Sequence, residues 1–153
     1  MKVDQHKSSL GMDANIMAML CYVGAFVLSW IPGVKYVAWA VPLIIFFLEK
    51  ESDFVKFHAI QALLLEAVMW VFQVVFGIII SIVWASSVHS VFSYGSLGAS
   101  VGITGVLSAI LVIIGIVLTI FAIIALAKAY GYVTFKVPVL GNMAEKFSQK
   151  GKK

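Results

Sequence analysis

Arginine is missing from this chain, and from Ala67 to Ala127 so is every other formal charge. Only 12% of the 153 residues are Asp, Glu, Lys or Arg, about half the roughly 25% of an ordinary soluble domain. The remainder is 62% hydrophobic, with a mean hydropathy of +1.05. A chain so poor in charge has too little polar surface to cover a core in water, which excludes a soluble fold and makes lipid the solvent. Cysteine is nearly absent as well. Cys21 stands alone, so no disulfide forms within the chain. The three histidines, His6, His58 and His89, are far apart and lack zinc spacing, so no metal site is expected. G-x-S-x-G, H-E-x-x-H and the phosphate-binding P-loop are missing. No Asp falls inside an apolar run, which removes a paired-aspartate intramembrane protease. No catalytic residue, no cofactor and no enzymatic activity are expected.

What is there is four apolar segments, at about 14–31, 34–48, 57–84 and 101–127. A bilayer crossing takes ~20 mostly apolar residues as a helix. Open strands would leave backbone groups unpaired in lipid. The expected fold is therefore an all-α integral membrane protein with four transmembrane helices, a single membrane domain over 1–147 and a basic tail at 148–153. The second segment is the weak one, about fifteen residues with Pro42 inside. Pro32-Gly33 reads as the turn of a hairpin between the first two. Asp13 ahead of the first run, with no small-x-small site after it, argues for a retained helix rather than a cleaved leader. Beyond Pro138, a short amphipathic helix at 143–147 is expected on the membrane surface.

Eleven lysines supply the whole basic charge. Lys2 and Lys7 precede the first segment. Lys50 and Lys56 lie between the second and third. Lys128, Lys136, Lys146, Lys150, Lys152 and Lys153 follow the fourth, and Lys35 stands alone between the first two. Basic residues favour the cytoplasmic side, so both termini and the 2–3 connection are expected there, in a multi-pass protein of the plasma membrane. The basic tail suits anionic headgroups. Nucleic acid is not an expected partner, because the lysines are scattered and accompany no binding motif.

Two patterns inside the apolar segments carry more information. In the fourth, Gly105, Ser108, Gly115, Thr119 and Ala122 recur at three-, four- and seven-residue steps. Small residues let helices approach closely in lipid, so this seam is expected to pack the bundle, with a homo-oligomer face as the alternative. Ala14, Ala18, Cys21 and Ala25 make a weaker version in the first segment. The uncharged connection Ala85–Ser100 holds Phe92 and Tyr94, which suit the interface, and His89, a solvated loop residue.

The third segment opens with EKESDFVKFHAIQALLLE, Glu49–Glu66. Glu49, Lys50, Asp53 and Lys56 form a charged cytoplasmic boundary, and Ser52 or Asp53 is placed to cap the helix that follows. At 100° per residue, His58, Glu66 and Gln73 fall within about 80° of one another, with Gln61 flanking them. This is a polar stripe entering the membrane, with Glu66 ~12 Å deeper than His58 along the axis. An ionisable group at such depth faces a bundle interior or an aqueous cavity. One reading makes Glu66 a structural hydrogen-bonding group. The other makes it the lining of a polar path.

Three stretches carry a family resemblance: LCYVGAF (Leu20–Phe26), LEKESDFVKFHAIQAL (Leu48–Leu63) and AYGYVTFKVPVLGNMAEKF (Ala129–Phe147). They resemble the Tic-type small subunits of the chloroplast inner-envelope import translocon and their prokaryotic relatives of unassigned function. The basic position of the middle stretch, often Arg in such proteins, is Lys56 here, which loses bidentate anion recognition. The resemblance implies four helices with both ends cytoplasmic and, by analogy, a role near polypeptide translocation or insertion. The leading expectation is thus a non-enzymatic subunit or accessory of a membrane complex. Its partners would be the bilayer and either another membrane protein or further copies of itself. The alternative is an oligomeric small-solute or proton-linked pathway through Glu66.

Overall fold

A computed structural model describes residues 1–91 and 97–149, without the side chains of Lys35, 87–91, 97–99 and 149. The expectations for Phe92, Tyr94, the His89 side chain and most of the basic tail lie outside the described residues. Within them the protein is helical, in the order α1 (Ala14–Ser29), a single 3₁₀ turn (Val34–Val37), α2 (Ala40–Leu48), α3 (Asp53–Val91), α4 (Leu97–Tyr130) and α5 (Leu140–Gln149). Two stretches are long and apolar enough to cross a membrane, Asp53–Ser86 and Ser100–Tyr130.

The second apolar segment is not one helix. Gly33 takes φ +85°, which a side chain would resist, and the chain then makes a 3₁₀ turn before α2 begins. Pro42 is the third residue of α2, in the first turn where its missing N–H costs nothing. Nine residues rise only ~14 Å, short of ~30 Å of hydrocarbon by themselves, and α2 packs on α1. The contact is close: a Cβ on Gly24 would come within 2.8 Å of Val41 Cγ1. The small-residue stripe of α1 is buried as its spacing implies, with Ala14, Ala18, Cys21 and Ala25 all inaccessible.

The backbone divides into two compact units. The first comprises Met1–Ala67 with Ile120–Lys153, the second Val68–Thr119. The first is a folded head. Its N-terminal segment pairs with the chain after α4, through Val3 N to Tyr132 O at 2.8 Å and Thr134 N to Met1 O at 2.8 Å. The end of α4 closes with Val133 N on Lys128 O and Tyr132 N on Ala129 O, the paired bonds of a Schellman cap. The left-handed residue is Tyr132 (φ 55°), not a glycine. Its ring stacks on Phe54 at 5.7 Å, a contact that offsets the backbone strain. Phe57, Ile60 and Ala144 form the core where α5 meets α3.

α5 is possible only because residue 141 is glycine. A Cβ there would sit 2.5 Å from both Cα and Cβ of Lys136. The obstacle is backbone, which has no rotamer to escape into. Gly141→Ala is expected to destabilise the head by about 2 kcal/mol. The check is the midpoint of an SDS titration in mild detergent, with protease sensitivity of α5 as the local readout.

In the second unit, Gly115 faces Met69, whose Cε is 3.6 Å from where a Cβ would lie. Gly105, Ser108 and Thr119 are exposed, and Ala122, in the head, is half-buried. Among the described residues, the small residues of α4 with no exposure are Ala125 and Ala129, nearer its C-terminal end.

Candidate functional site

The head holds a chain of buried polar side chains that begins on α3. Gln61 is fully buried. Its Nε2 donates to the Phe135 carbonyl at 3.1 Å and to Tyr22 Oη at 3.1 Å, while its Oε1 accepts the Val137 N–H at 3.1 Å. The backbone partners fix which way the amide points, since a carbonyl accepts and an N–H donates. Tyr22 Oη lies 3.0 Å from His58 Nδ1. Its oxygen accepts from Gln61, and donating its one proton to His58 Nδ1 is the arrangement that leaves no buried hydroxyl hydrogen unused. His58 is then neutral with the hydrogen on Nε2. That nitrogen is buried and has no hydrogen-bond partner, although the Val133 backbone faces the ring. Phe54, Phe57 and Tyr22 surround the imidazole, with centroids at 4.7, 5.2 and 5.9 Å.

A second network lies at the turn between α2 and α3. Glu49 is 1% exposed. Its Oε1 accepts three backbone N–H groups, from Ser9 at 3.1 Å, Glu51 at 3.0 Å and Ser52 at 2.9 Å, and its Oε2 accepts the Ser8 hydroxyl. Burial alone would raise its pKa. The Ser8 hydroxyl and the Ser52 and Ser9 amides outweigh that and bring it down to about 2. Ser52 caps α3: its Oγ accepts Val55 N–H at 3.2 Å and donates to His6 Nε2 at 2.7 Å. His6 Nδ1 donates to the Asp4 carbonyl at 2.8 Å.

The four residues of the polar stripe thus part company. His58 and Gln61 meet through Tyr22. Glu66 is half-buried and forms no ion pair among the described residues. Gln73 is exposed and belongs to the other unit. In the charged boundary, Glu49 is buried, whereas Lys50 and Asp53 are exposed and Lys56 Nζ donates to the Lys50 carbonyl at 3.0 Å. Among the described residues no three His, Cys, Asp or Glu gather as a metal would need. Tyr22, Ser8 and His6 are the residues the sequence reading missed. One available signal was the tyrosine hydroxyl in the middle of α1, in the apolar run between Asn15 and Ser29.

These features define a helical membrane protein whose polar residues knit its N-terminal segment, its α2–α3 turn and its C-terminal segment into one head. The chain belongs to the MamF/MmsF family, described as the magnetosome magnetite crystal formation protein family, whose model matches residues 13–144. It is similar to two UPF0132 membrane proteins of Methanocaldococcus jannaschii. One is 32% identical over 94% of this chain and 96% of the relative, the other 28% identical over 91% and 73%. No solved structure matches. The family match and both relatives overturn the Tic-type resemblance. The expectation of polypeptide translocation rested on that resemblance and is withdrawn with it.

Proposed function

We propose that this protein is a non-enzymatic component of a membrane assembly, whose folded unit of Met1–Ala67 and Ile120–Lys153 is offered to another membrane protein or to further copies of itself. The observation that carries this is how the buried polar groups are used. Gln61, Tyr22, Glu49, Ser52 and His6 bind segments 36 to 76 residues apart in sequence. Side chains so committed hold a shape rather than turn over a substrate. The same bonds support a plasma-membrane topology with both ends and the α2–α3 turn on the cytoplasmic side. They join the three segments that carry ten of the eleven lysines. The family description supplies a membrane setting. Its mineral is not carried over, because the archaeal relatives are described only as membrane proteins.

A second reading rests on Glu66, a half-buried acidic side chain within an apolar span that meets no cation among the described residues. It is a proton-linked pathway. One experiment separates the two. Purified alone and reconstituted in liposomes, the protein is expected to pass no more protons than empty vesicles, and from native membranes in mild detergent it is expected to elute with a defined partner. A proton flux that Glu66→Gln abolishes would replace the first reading with the second.

A further inference from the structure

α5 presents three different faces. Placed at 100° per residue, Gly141, Ala144 and Ser148 share a sector about 60° wide, and all three are buried. Leu140, Met143 and Phe147 share the neighbouring sector. Met143 and Phe147 are exposed there, at 41% and 48%, and Leu140 is half-buried. Asn142, Glu145 and Lys146 fill the third. One apolar face is therefore packed on the head, and a second, beside it, stays largely exposed among the described residues.

The residue that launches the helix adds to that second face at the expense of backbone strain. Leu140 N donates to the Pro138 carbonyl at 2.8 Å, closing a three-residue turn centred on Val139 with φ +67°. That is the rare, strained form of the γ-turn, and a β-branched residue is the least suited to it. Val139 gains no burial in return, being 74% exposed.

We propose that α5 is an interfacial helix whose uncovered face, Val139, Leu140, Met143 and Phe147, lies in the headgroup layer of the membrane that its own chain spans. The occupant follows from position and charge. Ala144, on the packed face, sits against Phe57 and Ile60, at the start of the apolar stretch Asp53–Ser86. This brings α5 to the level where that stretch meets the headgroups. Lys146 borders the uncovered apolar sector, where its stem lies along lipid and its ammonium reaches phosphate. Lys136, the other nearby cation among the described residues, is paired with Glu145 at 2.8 Å, so of these two Lys146 is the charge offered to the surface. The inference does not depend on whether the protein is an assembly subunit or a pathway.

The test uses the full chain in phosphatidylcholine–phosphatidylglycerol liposomes, with Cys21→Ala as background. Single cysteines at Met143, Phe147 and, as a control on the polar face, Asn142 carry an environment-sensitive fluorophore. Lipids spin-labelled near the top of the acyl chain are expected to remove most of the emission at 143 and 147 and little at 142, with aqueous iodide showing the reverse order. Iodide quenching 143 and 147 as strongly as 142 would overturn the proposal, leaving a face open to a soluble partner. Shielding at 143 and 147 that vanishes as the protein is diluted with lipid would overturn it too, in favour of contact between copies. All three positions lie on the surface, so each variant is expected to fold, and unchanged circular dichroism confirms it.

Discussion

Gln61→Leu is expected to cost the head about 4 kcal/mol, while Gln73→Leu, on the same helix, stays within about 0.5 kcal/mol. Leucine fills nearly the same space, so the loss is not one of packing. It is the stranding of the groups Gln61 served: the Phe135 carbonyl, the Val137 N–H and the proton-accepting side of Tyr22 Oη. Each buried group left without a partner costs about 1–3 kcal/mol, and water reaching the C-terminal segment recovers part of the total. The midpoint of SDS unfolding followed by circular dichroism gives the stability. Hydrogen exchange at the Val137 amide gives the location, because its protection should fall before that of α3. Gln73 is exposed and contributes no such bonds. Equal losses for the two substitutions would refute the division of the stripe into a structural pair and an outlying residue.

That division was half legible in the sequence. The helical period placed His58 and Gln61 on neighbouring faces of α3, but nothing in the pattern marked these two, rather than Glu66 and Gln73, as the buried pair. Their partners were not readable. Tyr22 is 36 residues from His58, and the groups that bind Gln61 most specifically are backbone atoms, 74 and 76 residues away, which leave no mark in composition. The two long apolar helices were legible because length and hydropathy decide them locally. The second segment, the weak one of the four, stayed ambiguous for the same reason. An apolar run of about fifteen residues reads alike whether it spans or packs, and here Gly33 and the 3₁₀ turn divide it. Glu49 was hidden by its neighbours: Glu49, Lys50, Glu51 and Asp53 look like one solvated cluster, yet only the residue that meets Ser8, Ser9 and Ser52 turns inward.

Glu49 carries the second large effect, and its sign with pH is fixed by the direction of its shift. The carboxyl titrates at about 2 in the fold against 4.5 ordinarily. The unfolded chain therefore takes up the proton first as pH falls. The stabilisation is complete above about pH 4.5, declines below it and is gone near pH 2, a contribution of up to about 3 kcal/mol. Two substitutions separate charge from geometry. In Glu49→Gln the amide oxygen keeps the Ser9, Glu51 and Ser52 amides, and the amide nitrogen turns the Ser8 bond around by donating to its hydroxyl. This variant is expected to lose about 3 kcal/mol at pH 7, the whole of the charge contribution, and to flatten the stability profile between pH 5 and about 2. In Glu49→Ala three backbone N–H groups and the Ser8 hydroxyl lose their acceptor at once, and α3 loses the anion ahead of its positive N-terminal dipole. The expected cost at pH 7 is about 4 kcal/mol, with the N-terminal segment released from the α2–α3 turn. SDS midpoints of the three proteins at pH 7, 5 and 3 settle it. If the wild type and Glu49→Gln keep a constant difference across that range, the charge on Glu49 does not hold the head together, and the network acts through geometry alone.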